Sequence, residues 1–233
     1  MLFRSTRILS NLGGRVYVWD ATSGERIAGL LVAEDDKDYA LSASYLPDGR
    51  YAIVVTRNGI IKKWDILTNR LISERVMSEF HIEARRGVPA TFSPDRKSVV
   101  FGDDEGKIRV WNVDTGEQNG GPFEGHIDSI TCLSFSSDGK YLASGSGDGT
   151  VIIQDMDSRR LEISPLREHT GRVTAVSFSP CGTKLVSGSF DNTILVGMYP
   201  RERCCARLSV RMKYARLLTH LMDSLSSRGE RRC

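Results

Sequence analysis

His126 and Asp148 stand 22 residues apart, with Ser144 between them, and His169, Ser187 and Asp191 repeat the same arrangement. A His beside a carboxylate is the pairing that general-base catalysis uses, and an added hydroxyl completes the composition of a nucleophilic triad. His is also the commonest transition-metal ligand among side chains. Each of these chemistries needs more than the residue types. A G-x-S-x-G nucleophile sits on a sharp strand-to-helix elbow, and neither Ser144 nor Ser187 is followed by a helical pattern. Gly145-Ser146-Gly147-Asp148-Gly149 has the glycine density of a phosphate loop but lacks the Lys and the helix that hold phosphate. No oxyanion site, carboxylate dyad or cofactor fingerprint accompanies them. The expectation is a chain with no catalytic residue, no metal site and no cofactor.

The two sets lie 43 residues apart, and that interval runs through most of the chain. Tyr45-Leu46-Pro47-Asp48-Gly49, Phe92-Ser93-Pro94-Asp95-Arg96, Phe135-Ser136-Ser137-Asp138-Gly139 and Phe178-Ser179-Pro180-Cys181-Gly182 are copies whose aromatic anchors step by 47, 43 and 43 residues. Each is a strand end followed by a tight turn, with Pro presetting φ and Gly allowing a backbone that other residues resist. Strand-type stretches follow: Tyr51 to Val55, Ser98 to Phe101, Tyr141 to Ala143 and Lys184 to Val186. Thirteen residues past the anchors stand Asn58, Glu105, Asp148 and Asp191, and nineteen past them Trp64, Trp111, Gln154 and Gly197. A further copy, without its first strand, ends at Trp19-Asp20. Short strands in units of about 40 to 45 residues are the pattern of propeller blades.

Residues 15 to 198 resemble WD-repeat β-propellers, through Trp19-Asp20, Trp64-Asp65 and Trp111-Asn112 at strand ends and Gly125-His126 opening the fourth copy. The best stretch runs from Gly125 to Asp155. The resemblance implies an all-β fold, an incomplete propeller of about five four-stranded blades, with repeats near 1–38, 39–80, 81–123, 124–166 and 167–198. It also assigns roles. His126, Ser144 and Asp148, then His169, Ser187 and Asp191, become members of a buried network that locks each blade, with Trp19, Trp64 and Trp111 at its indole position. No copy carries the full set, because Gln154 and Gly197 take the Trp position where the His, Ser and Asp are present. Gly121-Pro122-Phe123-Glu124-Gly125-His126 is also similar to the arrays that follow NACHT NTPase modules in fungal receptor-like proteins, which implies the sensing segment of a larger NTPase receptor as an alternative. A propeller enzyme is the other, and it would need inward-facing acidic or His ligands.

Function in such a fold lives in loops rather than in the sheets. The expectation is a protein-interaction scaffold with protein or peptide partners. The loop before each first strand and the turn before each third strand form the family's usual docking side. Their matching residues are Arg57, Asp103, Asp104, Gly147 and Phe190 in the turns and Arg85, Arg86, Asp128 and Arg172 in the loops. Phe190 is the sharpest of them, an aromatic in an otherwise polar turn.

Composition sets the remaining bounds. Among 233 residues Lys and Arg number 32 against 29 Asp and Glu, so no global field points to nucleic acid. The five cysteines are odd in number and lack metal-ligand spacing, which suits a reducing, cytoplasmic setting. No apolar run reaches the roughly 20 residues of a membrane span. Residues 199–233 form a basic tail in which Val210, Tyr214, Leu217, Leu221 and Leu225 share one helical face, an amphipathic helix or a misjoined gene end. Seven blades of this size need roughly 300 residues, so a fragment with open blade edges, prone to association, is expected.

Overall fold

The structure, a computed structural model, describes residues 7–12, 15–31, 38–46, 48–78, 80 and 89–198. These hold seventeen strands and no helix. The expected helix over 206–227 lies outside the described residues. The described residues fall into two compact units, one drawn from Met1–Ile82, Asp95–Val100 and Arg109–Gly121, the other from Glu83–Pro94, Phe101–Ile108 and Pro122–Cys233.

The first unit holds two sheets. One has the order β1-β2-β3, from Arg7–Leu12, Arg15–Asp20 and Arg26–Leu31. The other has the order β4-β5-β6-β7, from Ala40–Tyr45, Tyr51–Thr56, Ile60–Asp65 and Arg70–Val76. All pairings are antiparallel. Burial falls across the second sheet in the way its sequence dictates. The run Ala52-Ile53-Val54-Val55 on β5 is buried on both faces, whereas β7, with Arg70, Glu74 and Arg75, is exposed along nearly its whole length. Two-sided apolar strands belong inside a stack of sheets, and charged outer strands belong in water. Val16, Val18, Leu30, Ala40, Ala52, Val54 and Ile66 form the core, with Tyr45 and Trp64 packed against it.

The second unit holds the order β11-β12-β13-β14, from Ile130–Phe135, Tyr141–Ser146, Val151–Asp155 and Leu161–Leu166, and the order β15-β16-β17, from Val173–Phe178, Lys184–Ser189 and Ile194–Met198. Ala143, Val151, Ile153, Val173, Phe178 and Leu185 are its core. The sheets approach closely because of one missing side chain. A Cβ on Gly145 would lie 2.5 Å from Val173 Cγ1 and 2.7 Å from Cys132 Sγ.

A further sheet, of order β10-β9-β8, is built from β8 (Ala90–Phe92), β9 (Ser98–Gly102) and β10 (Ile108–Asn112). Its fourth strand is reduced to two isolated bridges, Ile108 with Phe123 and Trp111 with Gln118. Gly120, Gly121 and Pro122 explain the loss, since glycine weakens a strand and Pro has no N–H for a ladder. Four strands per blade therefore hold for two of the five described sheets.

Two local devices recur. Asp20, Asp65, Asn112 and Asp155 each accept from the backbone N–H two and three residues on, at 2.7 to 3.2 Å, which folds the chain into the outer strand or segment. The turns after the aromatic anchors place Gly49, Gly139 and Gly182 at φ of 66°, 75° and 70°. Arg96 takes that position in the third copy at φ 64°, and its Nε donates to Tyr45 O at 3.0 Å. Bulges also repeat. The inner ladders shift at Ala40/Ser42, Ile130/Cys132 and Val173/Ala175, and the outer ones at Val18/Trp19, Lys63/Trp64 and Ile153/Gln154.

Candidate functional site

The His, Ser and Asp residues singled out in the fourth copy converge. Ser144 on β12 is fully buried and its hydroxyl lies 2.9 Å from His126 Nε2. His126 Nδ1 lies 2.9 Å from Thr150 Oγ1 and 3.3 Å from Asp148 Oδ2. Asp148 in turn accepts from the Thr150 hydroxyl at 2.6 Å, from Thr150 N–H at 2.8 Å and from Ile127 N–H at 3.0 Å. With the Thr150 proton committed to Asp148, its lone pair takes the Nδ1 proton and Ser144 donates to Nε2, which assigns the neutral Nδ1–H tautomer. Burial pushes the His126 imidazole below its ordinary value, against the pull of Asp148. Burial also opposes ionisation of Asp148, but the bonds from Thr150 and Ile127 outweigh it and hold the carboxyl below the usual range.

The fifth copy repeats the geometry. His169 Nε2 meets Ser187 Oγ at 2.8 Å, and Nδ1 meets Thr193 Oγ1 at 2.8 Å and Asp191 Oδ2 at 3.2 Å. Asp191 accepts from Thr170 N–H at 2.8 Å and from Thr193, and these bonds overcome burial to keep it ionised well below the usual carboxylate range. Thr150 and Thr193 were invisible to the family comparison by motif, although Asp-x-Thr recurs at the same place in both copies and is the signal that finds them. Every functional atom of the two sets is turned inward and bonded. Their bonds to Ile127, Thr150, Thr170 and Thr193 N–H tie the turns together, and Ser144 is fully buried.

The three tryptophans reach three different ends. Trp19 Nε1 donates to Ser10 Oγ at 2.7 Å, Trp111 Nε1 donates to Ser78 O at 2.8 Å, and Trp64 Nε1 is buried with no partner. Gln154, in the Trp position of the fourth copy, likewise leaves its Oε1 buried and unbonded. No indole joins the His, Ser and Asp sets.

What these sets hold up is a continuous row of loops in the second unit. Ile130 N–H donates to Asp103 O at 2.9 Å and Gly147 N–H to Ser129 O at 2.9 Å. A Cβ on Gly149 would meet His169 O and Gly171 O at 3.2 and 3.3 Å, and one on Gly171 would meet Asp191 N at 3.0 Å. Phe190 N–H closes the row on Arg172 O at 2.9 Å. Of the docking residues expected here, Phe190 is 70% exposed, Asp128 is exposed, and Asp104 and Arg172 are half-buried. Asp103 differs: it is buried, and its Oδ1 accepts from Glu105 and Lys107 N–H at 3.0 and 2.8 Å, so its carboxylate serves its own turn. A side chain on Gly147 would strike the Asp128 carboxylate. Arg57 belongs to the other unit, where it is exposed with its guanidinium over the Tyr39 ring at 5.7 Å. Arg85 and Arg86 lie outside the described residues. Ile127, 85% exposed in the same row of loops, escaped the sequence reading because an apolar residue after a His carries no motif.

Among the described residues no group of three His, Cys, Asp or Glu is placed to hold a metal ion, and no helix is long and apolar enough to cross a membrane.

Comparison with known proteins adds the following. Residues 118–155 and 161–196 match the family described as WD domain, G-beta repeat. The anaphase-promoting complex subunit cdc20 of Dictyostelium discoideum is 36% identical over 63 residues, which cover 27% of this chain and 12% of that protein. A chain in a crystal structure of the mitotic checkpoint complex superimposes with a TM-score of 0.67 at 24% identity, over 88% of this chain and 60% of that one. That likeness establishes the fold, all-β sheets of the propeller type.

Proposed function

We propose that this chain, whose residues 118–155 and 161–196 match the WD repeat family, is a non-catalytic interaction scaffold whose loop row around Ile127 and Phe190 docks protein or peptide partners. The observation that carries this is that two large apolar side chains of the row, Ile127 and Phe190, stand 85% and 70% exposed with backbone pinned beneath each: Ile127 N–H on Asp148 and Phe190 N–H on Arg172 O. Apolar side chains held out on rigid loops are the make-up of interface anchors, because little conformational entropy is left to lose on binding. The inward, fully bonded His, Ser and Asp sets support a framework role rather than chemistry. The relatives' own descriptions, a subunit of one complex and a member of another, are in keeping with it. A cytoplasmic setting is part of the proposal, supported by Cys132 and Cys181 being free thiols.

The test compares affinity purifications of the wild-type chain and an I127S/F190S variant matched in thermal stability, read by quantitative mass spectrometry. A set of proteins lost from the variant is expected, and the leading one should bind the purified wild-type chain alone. An unchanged set of co-purifying proteins overturns the proposal.

A further inference from the structure

Building on the docking surface proposed above, we infer that its occupant is a basic segment of another protein, with apolar side chains set among Lys or Arg. The charges around the two anchors carry the argument. Asp128 is exposed one residue from Ile127, and Glu105 and the half-buried Asp104 stand in the adjoining turn. The nearest cation there, Lys107, is already bonded to Glu105 at 2.7 Å. Among the described residues, Arg172, half-buried, and Arg167, exposed, are further cations of these loops.

Beneath the loops two more carboxylates lie directly under the anchors. Asp148 accepts from Ile127 N–H, and Asp191 is the residue after Phe190. Both are held ionised by their hydrogen bonds, and burial keeps His126 neutral, so the Asp148 set retains its negative charge. Each apolar anchor thus has a buried carboxylate next to it, and the exposed Asp128 adds a second negative charge beside Ile127. A low-dielectric contact magnifies that field, so a cation next to an apolar side chain gains from both parts of the surface. A nucleic-acid backbone or an anionic lipid surface would meet like charge.

The experiment is a selection of phage-displayed random dodecapeptides on the full chain, followed by fluorescence polarisation of the leading labelled peptide. Enriched sequences should combine Lys or Arg with Leu, Ile, Met or aromatic residues. Binding should weaken about tenfold or more with F190S or I127S, and should fall with rising salt and with Asp128→Lys. Ile127 and Phe190 are exposed, so thermal melts of their variants should match wild type, and Asp128→Lys, which gives up the Ser129 N–H bond, is assayed well below its own Tm. Acidic or neutral peptides that still depend on Ile127 and Phe190 would overturn the inference about the occupant while leaving the docking surface in place. Peptides indifferent to both anchors would overturn the two together.

Discussion

Replacing Val54 by Thr should cost this protein little or nothing, although Val54 is fully buried. The reason lies in a comparison between two sheets of the first unit. Trp19 is opposite Ile8 in its ladder, and its Nε1 reaches Ser10, two residues along the same face. Trp64 is opposite Ala52, and the residue two along is Val54, which offers no acceptor. The Trp64 N–H is therefore buried unpaired, a penalty of about 1 to 3 kcal/mol. Thr is close in shape to Val, and a hydroxyl buried without a partner costs about 1 to 3 kcal/mol by itself. At position 54 the hydroxyl oxygen accepts from the indole N–H, and the penalty this removes offsets the cost of burying the hydroxyl to within about 1 kcal/mol. Val18→Thr is the control: it is equally buried, and its ladder neighbours Leu9 and Ala28 are apolar. The two variants should differ by about 2 kcal/mol, which for a domain of this size is about 4 to 8 °C in Tm. Urea and thermal melts measure the difference, and the Trp64 indole resonance in a proton–nitrogen correlation spectrum should move downfield in V54T alone. Equal destabilisation of the two variants with a stationary indole resonance would refute the reasoning.

Three further outcomes follow from the same geometry. Ser144→Ala leaves His126 Nε2 without its partner in a buried site and should destabilise by about 1 to 3 kcal/mol in urea melts, with peptide binding at the exposed loops largely kept. Acid should weaken the fold in two windows. His126 has its folded pKa depressed below 6.5, so the stability it contributes is complete above that pH and declines as pH falls through it; Asp148 adds a second loss below 3.8. A Tm series from neutral to acid pH should lose its first step in His126→Gln, and a wild-type profile flat across that first window would contradict the assignment. Arg96→Gly relieves a left-handed backbone but removes the bond to Tyr45 O, so it should be near neutral, while Arg96→Ala forfeits the bond without relieving the backbone and should cost about 1 to 2 kcal/mol by chemical denaturation.

Much of the fold was legible because its turns are written in residues with few alternatives. Gly49, Gly139 and Gly182 mark left-handed positions, and the Asp or Asn after each Trp accepts from the N–H groups two and three residues on, so both turns show in the letters. The His, Ser and Asp sets were legible for a similar reason, since their spacing is fixed by strand length. Side-chain partners were less so. Whether a Trp finds a hydroxyl, a carbonyl or nothing depends on the residue across the ladder and two along, which no linear motif records. Asp103 reads as a surface acid yet is claimed by its own turn. The lost outer strand of the third sheet was written in Gly120, Gly121 and Pro122, but a regular repeat invites the reader to assume it continues. Ile127 shows the converse: exposure is a property of what the rest of the chain leaves uncovered.

The bulges next to Trp19, Trp64 and Gln154 bear on how the protein behaves when crowded. The outer strand β7 displays Leu71, Ile72 and Val76 along an exposed rim, the kind of edge on which a neighbouring molecule pairs in register. The extra residue, Ile72 between the partners of Lys63 and Trp64, interrupts the ladder and tightens the local twist, and Arg70, Glu74 and Arg75 add charge to the same rim. Both features work against a flat template for fibril growth along this greasy margin, which a straight strand of the same letters would provide.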